Sequence, residues 1–239
     1  MNSKKVVRRK FFSISILVTG LVCALMYQVA NVFTDKSRVI KQIPTTHKVV
    51  AITVDDGPHT KATPEILAVL KEKTAKATFF VLGKNVENHP EIIAQAVLDG
   101  HEIASHAYSH KRLNKLPAAE VVAELARLEA ALQTVAPRPT LFRPPEGAYN
   151  DDIVALVRER GYSTILWSID TGDWRRVSVV QVVKTVLDNV RPGSIILMHD
   201  GQYPLPTARA LAIIIDKLHE QGYQLVTVSE LLQYYEVSR

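Results

Sequence analysis

The chain has 239 residues, 47% of them hydrophobic, which is enough for an apolar segment and one domain with a sizeable core. Its formal charge of +5 is supplied entirely by Lys4, Lys5, Arg8, Arg9 and Lys10, with no acidic residue before Asp35, so the balance of the chain is formally neutral and no nucleic-acid partner is implied. The single cysteine, Cys23, excludes disulfides and thiol catalysis from everything that follows it.

Residues 1–10 form a basic tail, and the stretch from Phe11 to Thr34 carries no charge. It is long enough to cross a hydrocarbon core of about 30 Å at about 1.5 Å per residue. A cleavage site is poorly provided for: Gln28 precedes Ala30 where a small residue is expected, and Val22 precedes Cys23. The segment 11–34 reads as a transmembrane anchor or a signal segment, with the uncleaved anchor favoured, beside a cytoplasmic tail over 1–10, a linker over 35–47 and a domain over 48–239 outside a cell membrane, because cations stay on the cytoplasmic side.

Within the domain, β-rich runs alternate with helical patterns. Strands are expected near 49–54, 77–82, 102–104, 140–143, 162–167, 194–198 and 224–228. Between them lie apolar residues at helical spacing, such as Val121, Val122, Leu125, Leu128 and Leu132, or Ile153, Leu156 and Val157. Thr63-Pro64 offers an N-cap with a proline in the first turn, and Gly100, Gly161 and Gly222 close helical runs. Repeated strand and helix imply parallel strands with crossover helices, and with no GxGxxG or Walker sequence present a βα barrel is preferred to an open nucleotide-binding sheet. Barrel enzymes place their chemistry at the C-terminal ends of strands.

Polar residues cluster at those ends. Asp55 and Asp56 close the first strand; His106 and His110 follow the third, Arg143 ends the fourth, Asp170, Asp173 and Trp174 follow the fifth, and His199 and Asp200 follow the sixth. Two adjacent carboxylates can divide the work, one on a metal and the other taking a proton from water, and carboxylate with imidazole suits a divalent ion such as zinc. The four-residue spacing of His106 and His110 would put both on one face of a helical turn. His101-Glu102 does not continue into HExxH, because Ser105 stands where the second histidine belongs, so a zinc-protease helix is rejected. Singly, each residue has an ordinary explanation as a turn, cap, core or surface residue.

Together they resemble the polysaccharide deacetylases that share the NodB homology domain, carbohydrate esterase family 4, over nearly all of residues 48–235. The matching motifs are Thr53-Val54-Asp55-Asp56-Gly57-Pro58, Ser105-His106-Ala107-Tyr108-Ser109-His110, Arg143-Pro144-Pro145-Glu146-Gly147, Asp170-Thr171-Gly172-Asp173-Trp174 and Leu197-Met198-His199, in that order. The resemblance implies a distorted (β/α)7 barrel and a metal-dependent removal of acetyl groups from carbohydrate. By position, Asp56, His106 and His110 would bind the metal, Asp55 would be the general base held ionised by Arg143, and His199, kept protonated by Asp173, the general acid. The backbone N–H of Glu146 would face the oxyanion, while Leu197 and Trp174 would enclose the acetyl methyl. Two departures stand out: Ala107 replaces a serine or threonine that could brace the loop, and Glu146 replaces a frequent aromatic, making the local surface acidic.

The expected function is N-deacetylation of cell-surface polysaccharide, with peptidoglycan amino sugars the nearest substrate, zinc the first metal, and cobalt, nickel or manganese admitted by the same ligands. No protein partner is evident. Alternatives are an O-acetyl esterase or small-amide hydrolase using the same site, or an inactive glycan-binding homologue.

Overall fold

The computed structural model of the protein describes residues 39–236; the expected tail, the expected membrane segment and the start of the linker lie outside the described residues. Among the described residues no helix is long and apolar enough to cross a membrane.

Among the described residues eight strands run as β1 (Val49–Asp55), β2 (Thr78–Val81), β3 (Glu102–Ser105), β4 (Leu141–Phe142), β5 (Ser163–Thr164), β6 (Ile169–Asp170), β7 (Ile195–His199) and β8 (Gln224–Leu225). Every pairing among them is parallel, in the order β5-β4-β3-β2-β1-β7-β6, with β8 on the N-terminal half of β1. Eight α-helices among the described residues accompany them: α1 (Ala62–Glu72), α2 (Gly83–Asn88), α3 (Pro90–Leu98), α4 (Ala118–Leu132), α5 (Asp151–Glu159), α6 (Val179–Asn189), α7 (Thr207–Glu220) and α8 (Val228–Leu231).

The sheet is curled, and no pairing among the described strands joins β5 to β6, so the expected seven-stranded barrel is an open one. The single strand expected at 162–167 is replaced by β5 on one arm and β6 on the other. A physical reason is visible: the carbonyls of Ile165 and Leu166, which a continuing strand would offer to a neighbour, accept from the guanidinium of Arg143 at 3.2 and 2.9 Å. The last expected strand is also shorter, because Thr227 caps α8 with a capping box to Glu230.

The open side is spanned near its base by residues read as linker. Ile40 bonds both ways to the chain after β5, its N–H to Thr164 at 2.9 Å and its carbonyl to Leu166 N–H at 2.7 Å, while Ile43 donates to the Gly193 carbonyl at 3.0 Å. Gly193 has φ +76°, and a Cβ there would lie 1.8 Å from the Ile43 carbonyl oxygen, so glycine is required on both counts.

Both faces of β1 are buried, as expected for a parallel sheet under helices. Val50, Ile52 and Val54 join the outer core with Ile66 and Leu70 of α1 and Leu211, Ile214 and Ile215 of α7. The alternate set, Val49, Ala51, Thr53 and Asp55, therefore points into the curl. Strand β7 repeats the pattern, with Ile196 and Met198 outward and Ile195, Leu197 and His199 inward, and the register pairs Asp55 with His199. The helical stripe of α4 buries Val121, Leu125, Leu128 and Leu132 but leaves Val122 exposed. Thr63 is not an N-cap; Lys61 holds that position, and the Thr63 hydroxyl instead accepts from His59 N–H at 2.8 Å and donates to Asp200 at 2.5 Å.

Candidate metal centre and active site

Asp56, His106 and His110 bring one ligand atom each within 4.8 Å of one another. Oδ1 of Asp56 lies 3.4 Å from Nε2 of His106 and 3.2 Å from Nε2 of His110, and it is buried without a hydrogen bond. Burial works against its charge, but the two imidazoles beside it hold the carboxyl well below the usual range. His106 donates from Nδ1 to the Arg143 carbonyl at 2.8 Å, which fixes its tautomer and leaves Nε2 for a ligand. An orphaned carboxylate oxygen facing two free imidazole nitrogens suits a divalent ion of the zinc type, and the donor set fits the expectation.

The histidines do not converge on a helical turn. Residues 106–110 form a loop in which Ala107 and His110 both have φ 63° and the rings stand 5.2 Å apart. The hydroxyl missing at Ala107 is compensated. Ser105 Oγ accepts from Ala107 N–H at 3.3 Å, and Glu124 of α4 accepts from the N–H groups of Tyr108 and Ser109 at 3.1 and 2.8 Å and from Ser109 Oγ at 2.6 Å. Glu124 went unread in the sequence; the available signal was a lone acid among the buried positions of the α4 stripe. Asp56 (φ 80°) and Glu146 (φ 58°) are further non-glycine residues in the left-handed region, so the strained backbone concentrates at this site.

Arg143 is wholly buried. Its Nη1 donates to Asp55 at 2.6 Å and to Thr53 Oγ1 at 2.9 Å, and its plane lies 3.9 Å from the Phe80 ring centroid. Asp55 Oδ2 is 3.8 Å from Nε2 of His106, so the carboxylate pinned by Arg143 borders the metal cradle without belonging to it.

On the other side, Nδ1 of His199 donates to Asp173 at 2.8 Å. Asp173 is fully buried and also accepts from the N–H groups of His199 and Trp174, at 2.9 Å each, and from Thr207 Oγ1 at 2.6 Å. Burial opposes a charge on His199, but the Asp173 hydrogen bond and the negative fields of Asp173, Asp55 and Asp56 overcome it and push the imidazole up to about 9. Behind β1, buried Asp200 is pushed up to about 7, by burial first and then by the repulsion of Asp56 and Asp55, against the Thr63 hydrogen bond.

Asp55, Asp56, His106, His110, Glu146, Trp174, Leu197 and His199 line one cleft of about 530 Å³ with Trp167, Asp170 and Gln202. Leu197 forms buried wall, whereas Trp174 is 42% exposed at the rim. The acidic surface expected from Glu146 is offset, because Arg112 donates to its carboxylate from Nε at 2.7 Å and also from Nη2. A three-ligand cradle between an ion-paired carboxylate and a cationic imidazole is the equipment of a metal-dependent hydrolase.

A family model described as polysaccharide deacetylase matches residues 42–165. The chain is 38% identical over 196 residues to the peptidoglycan-N-acetylglucosamine deacetylase of Bacillus cereus, covering 81% of this chain and 92% of that one. It is 36% identical over 196 residues to a chitooligosaccharide deacetylase of Bradyrhizobium, covering 76% and 90%. A crystal structure of a peptidoglycan N-acetylglucosamine deacetylase in complex with 4-naphthalen-1-yl-N-oxidanyl-benzamide superposes with a TM-score of 0.81 at 35% identity, covering 87% of this chain and 98% of that one. The chain belongs to the polysaccharide deacetylase family.

Proposed function

We propose that the chain is a metal-dependent deacetylase that hydrolyses N-acetyl groups on peptidoglycan amino sugars. The observation that carries this reading is the placement of Asp55 and His199 across the Asp56, His106, His110 cradle, one held by Arg143 and the other by Asp173. The peptidoglycan deacetylases among its relatives support the substrate. When bound there, a divalent ion, zinc first and cobalt, nickel or manganese by the same donors, supplies Lewis acidity toward the acetyl carbonyl and a lowered pKa for water.

The chain's own residues do the rest. Asp55, aimed by Arg143, takes the proton of the attacking water. The backbone N–H of Glu146 faces the carbonyl oxygen that gains charge. His199 starts as the cation and gives its proton to the departing amine, so acid and base are separate groups set by opposite environments. Leu197 and Trp174 enclose the acetyl methyl.

The five cations before the apolar segment at 11–34 support an anchored enzyme whose domain faces out of the cell, beside such a polymer. A chitooligosaccharide deacetylase among the relatives favours a second reading, in which short N-acetylated chito-oligomers are the substrate. Acetate release from peptidoglycan, chito-oligomers and acetylxylan, with and without chelator, tests both. Activity on acetylxylan alone would make the enzyme an O-acetyl esterase, and silence on every substrate after metal is restored would overturn the enzymatic reading.

A further inference from the structure

None of the side chains lining the cleft is a lysine or arginine, and four of them are carboxylates: Asp55, Asp56, Glu146 and Asp170. The lining therefore holds no guanidinium or ammonium of its own to take an acidic glycan. Yet each arm of the sheet presses a guanidinium against a lining residue at the rim. After β3, Arg112 grips the Glu146 carboxylate through Nε and Nη2. After β6, Arg175 lies 4.7 Å from the centroid of the exposed Trp174 ring and makes no ion pair among the described residues. Arg112 is 58% exposed and Glu146 43%, and a pair that wet contributes little to stability.

Resting on the deacetylase reading above, we infer that Arg112 and Arg175 make the cleft selective for a glycan bearing carboxylate substituents beside the acetamido sugar, with Glu146 occupying Arg112 as an internal stand-in for that carboxylate. A guanidinium takes a planar carboxylate through two parallel hydrogen bonds, and Glu146 shows that the Nε and Nη2 edge of Arg112 is aimed at the cleft wall. Nη1 has no partner among the described residues and remains available to the incoming anion. Arg175 lies against Trp174 through its Cζ, and its side-chain donors have no hydrogen-bond partner among the described residues.

The test compares a neutral N-acetylated chito-oligomer with one of equal length whose alternate sugars carry a carboxyalkyl ether, using the metal-loaded full chain. The acidic-to-neutral ratio of kcat/KM is expected to fall about tenfold in Arg112→Ala and to fall again when Arg175→Ala is added, the size of a lost charge-assisted contact. Glu146→Gln removes the competing anion and is expected to raise the ratio, and added salt to lower it. A ratio unmoved by Arg112→Ala, or two kcat/KM values falling in step, overturns the inference. Binding of both oligomers to Asp55→Asn protein, with and without Arg112→Ala, separates the two readings. Arg112-dependent selectivity in binding without acetate release by the unmutated chain supports the rim and sinks the deacetylase; acetate release without Arg112-dependent selectivity does the reverse.

Discussion

The two adjacent aspartates illustrate how far one pleat separates roles. Asp55 sits on the inward set of β1 and meets Arg143, whereas Asp56, one residue on with φ 80°, turns to the imidazoles. Asp55→Asn should therefore leave a metal titration unchanged and lower kcat by about a hundredfold or more, the range for a lost general base. His106→Ala should weaken metal binding by contrast, because it removes a proposed ligand whose tautomer the Arg143 carbonyl sets. As the proposed general acid, His199 must be protonated, so kcat/KM should fall on the alkaline side. That limb should lie at or below about 9, since a bound cation offsets the fields of Asp55 and Asp56 that help raise the imidazole. A raised histidine stabilises the fold fully below its ordinary value of 6.5 and loses that contribution as pH rises through about 9. Asp200 behaves oppositely to a salt-bridged carboxylate. Raised from 3.8 to about 7, it binds its proton more tightly when folded, so stability drains away as pH climbs across that window. In chelated protein, Asp200→Asn should flatten the dependence of melting temperature on pH between those values and melt higher at neutral pH.

At the level of elements, the β1 and β7 loops interlock through glycines. A Cβ on Gly57 would come within 2.3 Å of the Asp200 carboxylate, and one on Gly201 within 2.4 Å of Asp56 Cβ. Gly201→Ala should push Asp56, a proposed ligand, out of place and cost metal affinity about tenfold or more, read by competition with a chromogenic chelator. These loops were legible in the sequence because apolar runs end abruptly in Asp, His, Gly and Pro, and because five such endings fall in one order. The brace from Glu124 was not, since an acid within a helical stripe has no visible partner until the 106–110 loop folds onto it. Nor was the division of 162–170 between β5 and β6 legible, because the residue that interrupts the run, Arg143, lies about twenty positions upstream and reads locally as a surface cation. The register of His106 and His110 misled for a related reason: spacing by four fits a helix, but two left-handed residues make the same convergence.

For the whole molecule, the open side between β5 and β6 makes the segment around Ile40 and Ile43 part of the fold. Its partners lie more than a hundred residues away and it has no periodicity, which is why it reads as linker from sequence. Ile43 is 2% exposed, and Ile43→Ala should cost about 2–4 kcal/mol by urea unfolding, a loss in the range for a buried isoleucine. Arg143 spans more of the molecule still. It touches Thr53 and Asp55 on β1, Phe80 on β2 and the carbonyls after β5, and its own carbonyl holds His106 after β3. Truncating its side chain would strand the buried Asp55 carboxylate and empty the space between β1, β2 and the chain after β5, so unfolding and silence would arrive together. In a thermodynamic cycle pairing Arg143 with Asp55, the double variant would fall well short of the sum of the singles. A survey of variants scored by activity would call this arginine catalytic, and one scored by melting would call it core; the molecule gives it one job that both surveys measure.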